Sequence, residues 1–269
     1  MKYIIITDLD GTLLDHTTYS FERAKEALAF VREHKIPVVI CTSKTQAEIE
    51  VYREKLENKD PFIPENGGAI VIPEGYFKSA IDKKIGNYII VEMGIPYKVI
   101  TDALHKIRES CGIAITGFSD LTPEKVSFLT GIDIPSAKRA KQRCYSEPIS
   151  IEGGTEVVNE VRKRLNSLGF NFMEGGRFHH IFSLKTDKGK AVKELTKMYK
   201  DDYNDQIKTI GIGDSLIDLP MLAAVDVPIL VKKNTGDYDK KIQLPNLVYA
   251  DGIGPEGWNK EILKIFKNI

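Results

Sequence analysis

Asp8 and Asp10 stand two residues apart at the end of an apolar run, Tyr3-Ile4-Ile5-Ile6-Thr7, in a stretch that continues Gly11-Thr12-Leu13-Leu14. Two carboxylates this close repel each other. The pair therefore points to a divalent cation, or to a reaction with one nucleophile and one proton carrier. A solvated turn with Asx hydrogen bonds is the other structure that Asp-x-Asp makes. Asp214 and Asp218 form a second acidic pair, one helical turn apart behind Gly211-Ile212-Gly213. Thr42-Ser43-Lys44-Thr45 closes another apolar run; hydroxyls at such a junction either cap the following helix or offer donors to an anion. Lys188 opens a helical stretch, where a cation opposes the helix dipole, so local stability does not account for it. A single amine there could bridge a carboxylate and a phosphate.

The elements that would carry these groups alternate. Residues 3–7 read as a strand buried on both faces, as in a parallel sheet, with the acids just past its carboxyl end, where open α/β sheets bind ligands. The spacing of Phe21, Ala24, Leu28 and Val31 predicts a helix over 20–34 with Ser20 as N-cap. A strand follows over 36–41, then a helix from 46 to 56, and strand, glycine turn and strand over 62–72. After Thr186-Asp187 a helix runs to Tyr199; strands at 208–213 and 227–231 and a helical tail beyond Trp258 complete this part. Between about 85 and 181 the pattern changes to helical segments (99–108, 136–144, 155–168) with short strands at 112–115 and 150–151. The fold class expected is α/β: a doubly wound parallel-sheet core, residues 1–83 and 184–269, interrupted by an inserted α+β cap, residues 84–183. The expected hinges lie at 82–86 and 183–186.

The 269 residues suffice for a sizeable core, and 38 basic residues balance 38 acidic ones. No global field draws nucleic acid or an anionic membrane, so local charge must attract any anionic substrate. Three scattered cysteines (Cys41, Cys111, Cys144) argue against a disulfide framework or a zinc site and suit a reduced cytosol. No secretory leader pattern opens the chain, and no apolar run approaches the ~20 residues of a membrane helix. A cytoplasmic protein is expected, monomer or homodimer.

Asp8-Leu9-Asp10-Gly11-Thr12-Leu13 resembles the first motif of the haloacid dehalogenase superfamily of phosphatases. Thr42 falls at that superfamily's second motif, Asp187-Lys188-Gly189 at the third in its large-cap branch, and Gly213-Asp214-Ser215 with Asp218 at the fourth. The resemblance implies a Rossmann-like core and Mg2+ held by Asp8, Asp10 and Asp214. Asp8 would be the nucleophile, Asp10 the general acid and base, and Thr42 and Lys188 would stabilise the phosphate; Gly11, Ser43, Lys44, Ser215 and Asp218 would line its site. Ile217 departs from the asparagine that many members carry, which touches one contact behind the metal and not the metal site. Asn66, in Glu65-Asn66-Gly67-Gly68, either contacts the phosphate region or serves its turn.

The motifs alone say phosphomonoesterase; the substrate must be read from cap and rim. Arg139 and Gly175-Gly176-Arg177-Phe178-His179-His180 offer guanidinium forks for a second anion such as a carboxylate, although the basic stretch at 138–143 also suits a solvated helix face. Arg177 and His179 are candidate substrate contacts, and Glu147 and Glu152 candidate sugar ligands. Together with Gly254-Pro255-Glu256-Gly257-Trp258 these stretches resemble the phosphatases of that branch that act on mannosyl-3-phosphoglycerate. The implied reaction frees hexosylglycerate, a compatible solute, from a small-molecule hexosyl phosphoglycerate, mannosyl or glucosyl. Rivals are a phosphatase for plain sugar phosphates or a phosphoglycolate-like acid, and a phosphomannomutase-like phosphotransferase. A binding protein that has lost the chemistry would not need Asp8, Asp10, Lys188 and Asp214 together.

Overall fold

The computed structural model describes residues 1–78, 84–175 and 178–267. The opening apolar run forms β1 (Lys2–Thr7), followed by α1 (Lys25–Glu33), β2 (Val38–Cys41), α2 (Gln46–Lys55), β3 (Phe62–Ile63) and β4 (Ala69–Pro73). A hairpin of β5 (Lys84–Ile85) and β6 (Tyr88–Glu92) leads to α3 (Tyr97–Cys111), β7 (Ile115–Gly117), α4 (Pro123–Thr130) and α5 (Ile134–Ala140). Then come β8 (Ser146–Ile151), α6 (Thr155–Ser167), β9 (Phe170–Glu174) and β10 (His179–Ser183). The chain ends through α7 (Lys188–Tyr203), β11 (Ile207–Gly213), α8 (Leu219–Leu222), β12 (Val227–Lys232), β13 (Val248–Ile253) and α9 (Pro255–Lys267).

Among the described residues the larger sheet is ordered β13-β12-β11-β1-β2-β3-β4-β6-β5. It is parallel from β13 to β3 and antiparallel beyond. Alternation along β1 sends Ile5 to the layer of α1, α2 and α9, where it meets Ala27, Ile49 and Trp258. Ile4 and Ile6 go to the opposite layer with Val192 and Leu195 of α7 and Met221 of α8. Both faces are covered, which is why this strand is apolar at consecutive positions rather than at alternate ones.

The smaller sheet, β7-β8-β10-β9, is antiparallel. Its outer face buries Ile149 and Ile181 against Leu104 and Ile107 of α3 and Val161 and Leu165 of α6. Beside it α4 and α5 meet through Val126 and Ala137, with Phe118 in the same cluster.

Two expectations shift. The β5–β6 hairpin pairs with β4 in the larger sheet, so Lys84–Glu92 extends the core layer past residue 83, where the cap was expected to start. Its signal is the two-residue Gly86-Asn87 turn between Ile85 and Tyr88, with Gly86 at φ 59°. Part of the expected hinge at 82–86 lies outside the described residues. Ser20 does not cap α1: a 3-10 turn over Glu22–Ala24, begun at Phe21, feeds the helix, and the Ser20 Oγ accepts from the Glu22 amide at 3.2 Å just ahead of it. No helix among the described residues is long and apolar enough to cross a membrane.

Candidate active site

β1 and β11 are neighbouring parallel strands with Thr7 opposite Ile212, so Asp8 and Asp214 leave the same sheet edge side by side. The turn after β1 is pinned from below: Trp258 Nε1 donates to Thr7 Oγ1 at 3.1 Å, and that hydroxyl donates to the Asp8 carbonyl at 2.8 Å. Trp258 is fully buried. The Gly254–Trp258 stretch therefore holds the turn that carries Asp8 rather than the rim. Gly11 sits at φ +78°, and a Cβ there would come within 3.0 Å of Asp214 Oδ2; only glycine lets the turn lie this close to the second acid.

Asp187 caps α7 by accepting from the Lys190 amide at 2.8 Å, which sets Lys188 in the first turn, pointing under the sheet edge. Lys188 Nζ donates to Asp8 Oδ1 and to Asp218 Oδ1, both at 2.7 Å. Lys188 is 1% exposed, Asp218 0% and Asp8 7%, so these charges face each other almost without water. Asp218 Oδ2 accepts from the amides of Asp214 and Ser215 and from Ser215 Oγ, at 3.1 to 3.2 Å. Asp218 thus holds its neighbours and offers no free oxygen to a substrate.

Burial pushes the Asp8 carboxyl up to about 7, with Lys188 opposing and Asp218 adding to the rise. Burial, then Asp218 and Asp8, lift Asp214 well above the ordinary carboxylate range. For Lys188, burial works against the ammonium, but Asp218 and Asp8 outweigh it and raise its pKa. Three carboxylates against one amine leave negative charge uncompensated in a dry place. Oxygens of Asp8, Asp214 and Asp218 lie within 4.8 Å of one another. The donors are all hard oxygen, so the group fits a small divalent cation. Asp10, expected among the metal carboxylates, is not in this group: its Oδ2 is held by Lys44 Nζ at 2.8 Å.

Above this floor opens a cavity of about 420 Å3. Asp8, Asp10, Gly11, Ser43, Lys44, Asp214 and Ser215 line its core side. Lys188 and Asp218 lie beneath them. Thr42 is buried, its Oγ1 accepting from the Lys44 amide at 3.4 Å. Asn66 is buried at φ 59°, with neither side-chain atom hydrogen-bonded and its amide donating to the Thr42 carbonyl at 3.0 Å; it supports the hydroxyl loop and does not line the cavity.

The cap side departs further from the sequence reading. Arg139 does not line the cavity: its guanidinium donates to Ser136 Oγ, and its carbonyl accepts from Thr45 Oγ1 at 2.9 Å. Arg143 does line it, donating to the carbonyls of Ser43 and Ser146 at 2.8 Å. Glu65, from the core, accepts from the successive amides of Cys144, Tyr145 and Ser146 at 2.8 to 3.0 Å, with Arg143 3.6 Å away. These bonds tie the cap turn to the core. Glu147 is fully buried, accepting from Tyr97 Oη and from the Ser119 amide and hydroxyl; it serves the cap's interior, not a sugar. Glu152 is exposed and does not line the cavity. His179 faces the helix side of β10, stacked on Phe172 at 4.7 Å, whereas His180 lines the cavity. Arg177 lies outside the described residues. Glu48, which follows the Thr42–Thr45 stretch in the resemblance, also lines the cavity, as do His16, Tyr19, Lys233 and Asn234, which nothing in the sequence singled out.

The family model described as haloacid dehalogenase-like hydrolase matches residues 5–240. The chain belongs to this family. Among curated haloacid dehalogenase-like relatives, a Methanococcoides burtonii protein named glucosyl-3-phosphoglycerate/mannosyl-3-phosphoglycerate phosphatase is 48% identical, over 98% of this chain and 97% of its own. One of the same name from Persephonella marina is 38% identical over 99% and 98%. A Pyrococcus horikoshii mannosyl-3-phosphoglycerate phosphatase is 37% identical over 86% and 91%. A Thermoplasma acidophilum crystal structure superimposes with a TM-score of 0.70 at 19% identity, covering 100% of both chains. At that identity the likeness speaks for the hydrolase fold alone.

Proposed function

We propose that this haloacid dehalogenase-like hydrolase is a Mg2+-dependent phosphatase that removes the 3-phosphate of mannosyl-3-phosphoglycerate, and of its glucosyl counterpart, leaving hexosylglycerate. The observation that carries the reading is Lys188 Nζ at 2.7 Å from Asp8 Oδ1 beneath an open cavity, in a chain whose relatives of nearly equal length bear that activity in their names.

In this mechanism Asp8 attacks phosphorus in line, forming an aspartyl phosphate and releasing the glycerate oxygen. Lys188 is fixed by Asp218 before substrate arrives, so its charge meets the phosphoryl oxygens at no reorganisation cost. Ser43 lines the cavity and would offer its hydroxyl to the phosphate, with Thr42 buried behind it. Asp10 is held by Lys44 through Oδ2 and has Oδ1 without a partner; once Oδ1 has taken up a proton it would pass it to the departing oxygen and then, as carboxylate, take one from the water that hydrolyses the aspartyl phosphate. Asp8 and Asp214, with Asp218 behind them, would hold Mg2+, and the bound ion would supply positive charge that lets a phosphate dianion approach a carboxylate.

A phosphate-release panel with Mg2+ tests the reading. Mannosyl- and glucosyl-3-phosphoglycerate are expected to be hydrolysed in preference to mannose 6-phosphate, phosphoglycolate and an aryl phosphate. Preference for a plain sugar phosphate, or phosphate moved between hydroxyls without release, would replace the reading with a sugar phosphatase or a mutase.

A further inference from the structure

The cap wall of the cavity has a composition of its own. Phe118, Ile132, Ala140, Pro148 and Phe178 line it, and the rings of Phe118 and Phe178 meet edge to face at 5.0 Å. Strand alternation turns His180 to this wall, in register opposite Pro148 of β8. The imidazole rests against Gly175, where an added Cβ would come within 2.8 Å of Nε2, so the ring is held in place by backbone. Its Nδ1 is buried with no hydrogen-bond partner. Burial, with Arg143 and Lys188 adding to it, lowers the ring's pKa to about 3, so it is neutral and carries one donor and one acceptor.

A hexosyl phosphoglycerate carries its charges at the phosphate and carboxylate, and its uncharged hydroxyls on the hexose. The ionised core wall suits the first end. The second needs apolar surface for the C–H face of the sugar and a few polar groups to fix its orientation. We propose that the hexosyl group lies against the Phe118–Phe178 pair and that His180 hydrogen-bonds one of its hydroxyls, making His180 a specificity-determining residue. The proposal rests on the hexosyl reading above.

The full chain with Mg2+ tests it through product inhibition of mannosyl-3-phosphoglycerate turnover by mannosylglycerate and by inorganic phosphate. Both inhibition constants are measured in the unchanged protein, His180→Ala and His180→Phe, the last filling the space without a hydrogen bond. The mannosylglycerate constant is expected to weaken roughly ten- to a hundredfold in both variants, as for a lost buried hydrogen bond, while that of phosphate stays within about twofold. Equal weakening of both inhibitors, or His180→Phe binding mannosylglycerate as the unchanged protein does, overturns the proposal. Absence of hexosyl-ester turnover in the unchanged protein overturns the substrate reading, and this proposal with it.

Discussion

The two walls of the cavity hold their polar groups by opposite means. On the core wall ions hold ions: Lys188 lies between Asp8 and Asp218, and Lys44 on Asp10. On the cap wall the charged groups are spent on backbone, Arg143 on carbonyls and the core's Glu65 on the amides of the cap turn, which leaves, among the described residues, mainly apolar side chains with Thr130 and one neutral imidazole facing in. The difference separates tasks. A desolvated ion pair is stiff and costly, suited to one reacting centre. A mainly apolar wall with few hydrogen-bonding groups suits discrimination between neutral parts of substrates.

Substitutions can break this contrast, beginning with the nucleophile. Asp8→Asn is expected to lower turnover by roughly 10^4-fold or more. It should not lower the melting temperature at neutral pH, because it removes a carboxylate whose ionisation burial opposes; steady-state assays and calorimetry check both. Lys188→Met leaves Asp8 and Asp218 buried without their amine and should cost about 3–5 kcal/mol of stability, read by denaturant unfolding, together with most of the activity.

Metal and pH sharpen the same point. The folded-state pKa of Asp8 lies above its ordinary value of 3.8, at about 7, and that of Asp214 is raised as well. Stability from these neutral carboxyls is present at low pH and is lost as pH climbs from about 4 through 7. Metal-free protein should therefore melt lower at pH 7.5 than at pH 5, and Mg2+ should restore most of the difference by binding the ionised form. A flat profile in calorimetry would mean the acids are hydrated.

The cap should respond more mildly. Glu65→Gln weakens the bonds to three successive amides and should cost about 1–3 kcal/mol, with KM affected more than kcat because the chemistry does not touch this carboxylate. Arg139→Ala is expected to change kcat/KM less than about twofold and stability by less than about 0.5 kcal/mol, as for a surface substitution. A tenfold rise in KM would return Arg139 to the substrate.

The contrast also explains what could be read from the chain. Asp8, Asp214 and Lys188 sit at element ends, so once the apolar runs and their order are recognised, sheet adjacency brings them together with little else to know. On the cap wall the answer turns on the phase of a strand. His179 and His180 are neighbours in sequence, and only the register of β10 against β8 decides which faces the cavity. Arg139 and Arg143 differ in the same way. The helix expected over 136–144 ends at Ala140, so Arg143 swings out of the helical face and back to the core loop. Asp10 gave no warning that Lys44, thirty-four residues away, would claim its carboxylate. The pairing is visible only in three dimensions.

The central claim is covalent attack by Asp8. In an acid-quenched single turnover of mannosyl-3-phosphoglycerate with Mg2+, a phosphoryl group should appear on the peptide carrying Asp8 before free phosphate accumulates and then decay at the rate of phosphate release. Phosphate appearing at its full rate while that peptide stays unmodified would contradict the account.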